Sequence, residues 1–184
     1  MKRYKILAFA ICQLFIVVRL SAQENNAEFF VATSGELPTF NLNQTNIISQ
    51  QYNFALGYAF PKSGELFLNI GIGMLGNDSE DLNFVLQGNS YGVGANYLFP
   101  IKPHLTLGLE VLAAYGSYSI PEDVNYDHAL YQAAIKIQTP AFAVGKVYGM
   151  VGIRYRSFFD YTSMNSLEYY TGIGMRFGFA RKAK

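Results

Sequence analysis

The sequence predicts an all-β fold, an eight-stranded antiparallel up-and-down transmembrane β-barrel that follows a cleaved signal peptide. Three observations carry the expectation. The chain starts with a short basic and then apolar segment and has no later apolar helix; segments of about ten residues alternate between apolar and polar or small side chains; and the connections between them alternate between short and long.

Composition sets the frame. Of 184 residues, 51% are hydrophobic and 15% charged, which excludes intrinsic disorder. Aromatic residues make up 16%, with 14 Tyr, 15 Phe and no Trp, beside 17 Gly, a mixture that favours strands with close backbone approach. The formal charge of +1 supplies no basic stripe for neutralising phosphates, so nucleic acid is not an expected partner.

Lys2, Arg3 and Lys5 precede an apolar run from Ile6 to Val18, and Arg19-Leu20-Ser21-Ala22-Gln23 follows. At about 1.5 Å per residue this run would span roughly 20 Å, less than a hydrocarbon core of roughly 30 Å, so residues 1 to 22 read as a signal peptide and 23 to 184 as the barrel domain. Ile11 before Cys12 is not the small residue that a lipoprotein signal requires. Without residues 1 to 22 the 14 Lys and Arg fall to 10 against 13 Asp and Glu, a net charge of −3, and no cysteine remains.

The first clear strand is Gln51 to Phe60, where Tyr52, Phe54, Leu56, Tyr58 and Phe60 alternate with polar or small residues. Six more follow, with greasy faces led by Leu66, Tyr91, Leu105, Tyr131, Val147 and Leu167. None of these faces carries a charge, and only Gly149 and Thr171 on them are not hydrophobic. A shorter eighth strand is expected near Ala27 to Ser34. Short turns are expected at Pro61-Lys62-Ser63-Gly64, Pro100-Ile101-Lys102-Pro103 and Thr139-Pro140-Ala141, and longer polar loops at 35–48, 76–83, 119–128 and 159–166.

Signal peptide, eight alternating strands and alternating connections together resemble the small outer-membrane barrels of the OmpA/OmpX type. The Ser-Ala-Gln signal ending and the Tyr/Asn/Gly-rich strands are similar to Bacteroidetes outer-membrane β-barrel proteins. The resemblance implies a bacterial outer-membrane location, contact with membrane lipid and lipopolysaccharide, and insertion by the barrel-assembly machinery. Family members commonly end on a terminal Phe read by that machinery; here Phe179 is followed by Ala180-Arg181-Lys182-Ala183-Lys184.

The second strand face separates a membrane barrel from a soluble sandwich. A soluble sheet would fill that face with Lys, Glu, Asp and Thr, whereas here Gly, Ala, Asn, Gln and Tyr dominate, as suits a narrow lumen. Its eight charges are Glu28, Glu65, Glu110 and Glu168 against Lys136, Lys146, Arg154 and Arg176. Four of each sign predict an interior charge network, with Arg154 near Glu168 and Arg176 near Glu28. Two aromatic girdles are expected on the outside: Tyr52, Tyr91, Tyr115, Tyr131, Tyr155 and Tyr169 towards the long loops, and Tyr58, Phe60, Tyr97, Phe99, Phe177 and Phe179 towards the short turns.

Chemistry-bearing candidates are few. His104 reads as a turn residue. His128 beside Asp127, with Ser117 and Ser119 nearby, holds the groups a Ser/His/Asp acyl-transfer site would use, placed in the third long loop. Neither His104-Leu105-Thr106 nor His128-Ala129-Leu130 matches the His-x-Ser arrangement of a lipid A deacylase. Asn77-Asp78-Ser79-Glu80-Asp81 clusters oxygen ligands without the grammar of a calcium loop. No catalytic, cofactor or metal site is expected, and a non-enzymatic barrel whose surface loops serve adhesion, binding or envelope integrity is the leading reading. Two rivals stand beside it: a lipid A-modifying acyl hydrolase or transferase, and a soluble periplasmic lipocalin-like barrel with its greasy faces turned inward.

Overall fold

A computed structural model describes residues 28–37, 39–41, 47–60, 64–79, 82–119, 125–142 and 145–180. The signal peptide expected at 1–22 lies outside these residues. The strands are β1 (Glu28–Glu36), β2 (Thr39–Asn41), β3 (Ile47–Ala59), β4 (Gly64–Ser79), β5 (Leu82–Lys102), β6 (Leu105–Ser119), β7 (Asn125–Phe142), β8 (Gly145–Phe158) and β9 (Ser166–Ala180), with a 3-10 turn at Thr162–Met164. β1 and β2 both pair with β3 on one side and β9 on the other, so together they form one stave of eight. Every described strand pairing is antiparallel, and the pairing of the first stave with β9 closes the barrel and removes the free sheet edges.

Alternation decides which way each side chain points. Ile72 and Ile173 are 64% and 62% exposed, whereas Arg154 and Arg156 are fully buried. Large apolar residues therefore cover the outside and polar ones fill the inside, the inverse of a soluble protein. This overturns the lipocalin-like alternative, which needs the greasy faces turned inward.

The strands run further than the sequence pattern suggests. At about 3.3 Å per residue the 21 residues of β5 run about 70 Å, and tilted by 35–45° they still rise about 50 Å, roughly twice the apolar band about 25 Å tall of a transmembrane barrel. The ladder enters the expected loop at 76–83 from both sides as far as Ser79 and Leu82, with 80 and 81 outside the described residues: Asn77 pairs with Phe84 and Ser79 with Leu82. The loop at 119–128 likewise shrinks, since β6 reaches Ser119 and β7 starts at Asn125, and the 35–48 loop contains the end of β1 and all of β2. Backbone pairing above the membrane needs no apolar side chain, so polar composition did not mark a loop there. At the other end, Pro100 and Pro140 do not start turns. They sit at bulges between Pro100 and Lys102 and between Pro140 and Phe142, where a missing N–H is tolerated, and the chain turns at Pro103-His104 in the first case.

Glycines let aromatic rings lie flat against the inner wall. A methyl group at Gly94 would overlap the Phe67 ring, and one at Gly57 would meet both the Phe30 ring and the Leu66 carbonyl. These close approaches require glycine at both positions.

Candidate functional site: the lumen and its rims

The lumen is stacked in layers. At the short-turn end, Arg176 lies 2.9 Å from Glu65 and 3.4 Å from Glu28, and Asn96 donates to Glu65 at 3.0 Å. Above it Lys136 pairs with Glu110, to which Gln132 donates at 3.5 Å. The next layer is the densest. Arg154 contacts Glu36 and lies 3.4 Å from Glu168; Arg156 contacts the other oxygen of Glu168; Ser49 and Ser166 donate to that carboxylate at 2.6 and 2.8 Å. Asn53 and Gln132 complete the layer by bonding Glu36 and Arg154, at 3.1 and 3.3 Å.

Each paired cation also faces a ring. Arg176 sits 4.4 Å from the centre of Phe30, Lys136 4.6 Å from Tyr148, Arg154 4.7 Å from Tyr170 and Arg156 5.2 Å from Tyr118. A buried cation so flanked keeps favourable contacts on sides where no carboxylate fits. Removing one partner from such an arrangement leaves a buried charge unmatched, which is why the network reads as a filling of matched charge.

An apolar plug closes the loop-side end. Leu75, Leu86, Tyr118 and Phe158 are buried together there, with His128 stacked on Tyr118 at 4.9 Å and tilted against Phe158 at 5.2 Å. A cavity of about 30 Å³ remains lower in the lumen, bordered by Phe30, Glu65, Gln138 and Arg176. At roughly 10–15 Å³ each it holds about two water molecules, which is not a pore.

Of the eight expected interior charges, seven enter ion pairs: Glu28, Glu65, Glu110, Lys136, Arg154, Glu168 and Arg176. Lys146 takes an inward register at the short-turn mouth, opposite Arg176, and makes no ion pair among the described residues. Glu36 and Arg156 were missed. Glu36 fell in the stretch read as loop 35–48, and Arg156 lay one step past the last residue assigned to its strand; continuing the alternation of 150, 152 and 154 by one position would have found it.

The girdle residues Tyr52, Tyr91, Tyr97, Phe99, Tyr115, Tyr131, Tyr155 and Tyr169 are exposed on the outer wall, and Phe60 and Phe177 are half-buried. Tyr58 departs from the expected exposure. It keeps the outward register but is covered by Phe29 and Phe60, with edge-on rings at 5.3 and 5.1 Å. Phe179 pairs in register with Phe29. Phe29 itself is 57% exposed and joins the lower ring.

His128 and Asp127 do not form a catalytic pair. Adjacent residues of a strand point to opposite faces: His128 is 1% exposed inside the plug, while Asp127 faces outward and accepts a 2.6 Å bond from the Tyr115 hydroxyl. Ser117, opposite Asp127 in register, is on the outer face as well, so the barrel wall separates it from the imidazole. His104 is exposed at its turn. Asn77, Asp78 and Ser79 belong to β4, and Glu80 and Asp81 lie outside the described residues.

No protein-family model and no curated protein matches the chain. Solved structures do. Neisserial surface protein A is similar with a TM-score of 0.57 at 14% identity, covering 83% of this chain and 99% of its own. The N-terminal barrel domain of Pseudomonas aeruginosa OprF gives 0.55 at 15% identity, covering 83% and 97%. Ail, the attachment invasion locus protein of Yersinia pestis, gives 0.51 at 12% identity, covering 85% and 99%. The fold is that of the eight-stranded barrels of these outer-membrane proteins.

Proposed function

We propose that the chain is a non-enzymatic barrel that holds a small loop-side rim at the cell surface for adhesion, binding or envelope integrity. Residues 1 to 22 then act as the export signal, the barrel-assembly machinery inserts the rest, and the wall meets membrane lipid and lipopolysaccharide. In this reading the protein groups with the Bacteroidetes-type barrels that its strands resemble. The observation that carries the reading is the filled lumen. Ion pairs span it, an apolar plug closes its outer end, and the barrel wall separates the buried His128 from Asp127 and Ser117.

The rim also narrows the ligand. Ail has been crystallised with the heparin analogue sucrose octasulfate. A polysulfated ligand does not suit this chain, because Asp78, Glu80, Asp81, Glu122, Asp123, Asp127 and Asp160 all lie at the loop-side end in sequence. Neutral or cationic surfaces fit better.

Purified barrel in a planar bilayer is expected to leave conductance at baseline, and incubation with lipid A to leave its acyl mass unchanged. Cells lacking the protein should lose attachment to a cationic surface or become more permeable to detergent. Steady conductance, or acyl loss that depends on His128, would overturn the reading.

A further inference from the structure

The outer wall is not uniformly bulky. Where β5 to β8 pass under the loop-side aromatic ring, Ala113 and Ala133 stand among Val93, Tyr131, Ile153 and Tyr155 and leave an outward groove of about 460 Å³. That is roughly three times the roughly 150 Å³ of an apolar cavity that stays dry and takes a benzene ring. The groove is continuous with the lipid-facing wall. The lining is apolar apart from Gln132, so water gains little there, and left empty the lining would lose its dispersion contacts, which makes a hydrocarbon chain the occupant that fits.

What lies above the groove selects the headgroup. Asp127 stands six residues above Ala133 on β7, on the same outward face, and Tyr115 holds its carboxylate on the neighbouring strand. Six residues at about 3.3 Å span about 20 Å; tilted by 35–45° they descend about 15 Å, half of a hydrocarbon core of about 30 Å. The distance from Asp127 to the groove is therefore that from a lipid headgroup to the lower part of its chain. The outward positions of β6, β7 and β8 carry no Lys or Arg, so this strip of wall shows a headgroup one negative charge and no positive one. A phosphate without a compensating amine is disfavoured there, and an ammonium is favoured.

We propose that the wall formed by β5 to β8 seats one lipid with an amine-bearing headgroup, its acyl chain in the groove over Ala113 and Ala133 and its ammonium at Asp127. The seat rests on the membrane barrel and shares only Asp127 with the acidic rim, so filling the groove tests the seat without altering the rim. Tyr131 and Tyr155, paired across β7 and β8, flank the chain where it passes from headgroup level into the groove.

The test is native mass spectrometry of the full chain refolded in micelles holding equal amounts of phosphatidylethanolamine and phosphatidylglycerol. Wild type should retain one phosphatidylethanolamine over phosphatidylglycerol by roughly fivefold, the scale of one exposed charge contact. Ala113→Phe with Ala133→Phe fills the groove and should abolish retention of either lipid. Asp127→Asn should keep a bound lipid but lose the preference, and Ile70→Phe on the distant β4 wall should behave as wild type. Heat-dependent gel mobility verifies folding, and Ala133→Leu provides a gentler filling if the double variant does not fold. The proposal is overturned if groove-filled variants hold lipid as wild type does, if wild type shows no headgroup preference, or if a dimer of this chain replaces the lipid adduct.

Discussion

The outer wall and the lumen are built by the same strands, residue by alternating residue, yet they answer to opposite solvents. On the wall, Ile70, Ile135 and Ile173 meet a hydrocarbon medium that conforms to any apolar shape. In the lumen, Arg154 has fixed neighbours in Glu36, Glu168, Gln132 and Tyr170, and none of them can be replaced by solvent. The wall therefore depends on the chemical type of each side chain, and the lumen on its identity.

The largest effect should come from the lumen. Glu168→Ala strips Arg156 of its ion-pair partner and Arg154 of one of two, and is expected to lower stability by about 3–5 kcal/mol, read from a urea titration of the folded gel band in micelles. A loss under 1 kcal/mol would mean that water reaches this layer. Next is a charge placed on the wall. Ile70→Lys should lose about 2–4 kcal/mol near the midplane, whereas a soluble barrel would accept it with little change.

A smaller effect tests the inner packing. Gly94→Ala adds one methyl against Phe67 and should lose about 1–3 kcal/mol, with Phe67→Leu in the same chain recovering part of it. The smallest belongs to the wall again: Ile173→Val keeps the apolar type and is expected to lower stability by less than about 1 kcal/mol in the same urea titration, since lipid replaces the lost contact. Should Ile173→Val prove as harmful as Gly94→Ala, the distinction between the two surfaces would fail.

Much of the fold was legible because a period of two survives wherever one face must be apolar. Tyr52 to Phe60 and Leu167 to Phe179 show their strands without ambiguity. The signal fades where that demand ends. Beyond the apolar band, Asn77 and Asp78 continue the ladder in register with Phe84 and Asn83, and their polar residue types do not tell strand from loop. The same loss of signal hid Glu36 and set His128 beside Asp127 as loop neighbours, although one strand places them on opposite sides of the wall. Pairing in the lumen was partly readable: Arg154 and Glu168 occupy directly opposed register positions, as do Ala32 and Arg176 one stave away. That Arg176 reaches both Glu28 and Glu65 depends on strand stagger, which no single strand's sequence encodes. Tyr58 lost its exposure to rings from neighbouring positions, a packing outcome that alternation does not register.

The assignment of faces is tested most directly along β7, where outward Tyr131, Ala133, Ile135 and Ile137 alternate with inward Gln132, Ala134, Lys136 and Gln138. In a chain with Cys12→Ser, single cysteines at each of these positions would carry a nitroxide, and its collisions with oxygen and with a water-soluble nickel chelate would be measured in bilayers. Oxygen access should peak at 131, 133, 135 and 137 and fall at every position between, with the chelate excluded from both sets. The opposite phase, or chelate access at the even positions, would contradict a sealed lumen inside a lipid-facing wall.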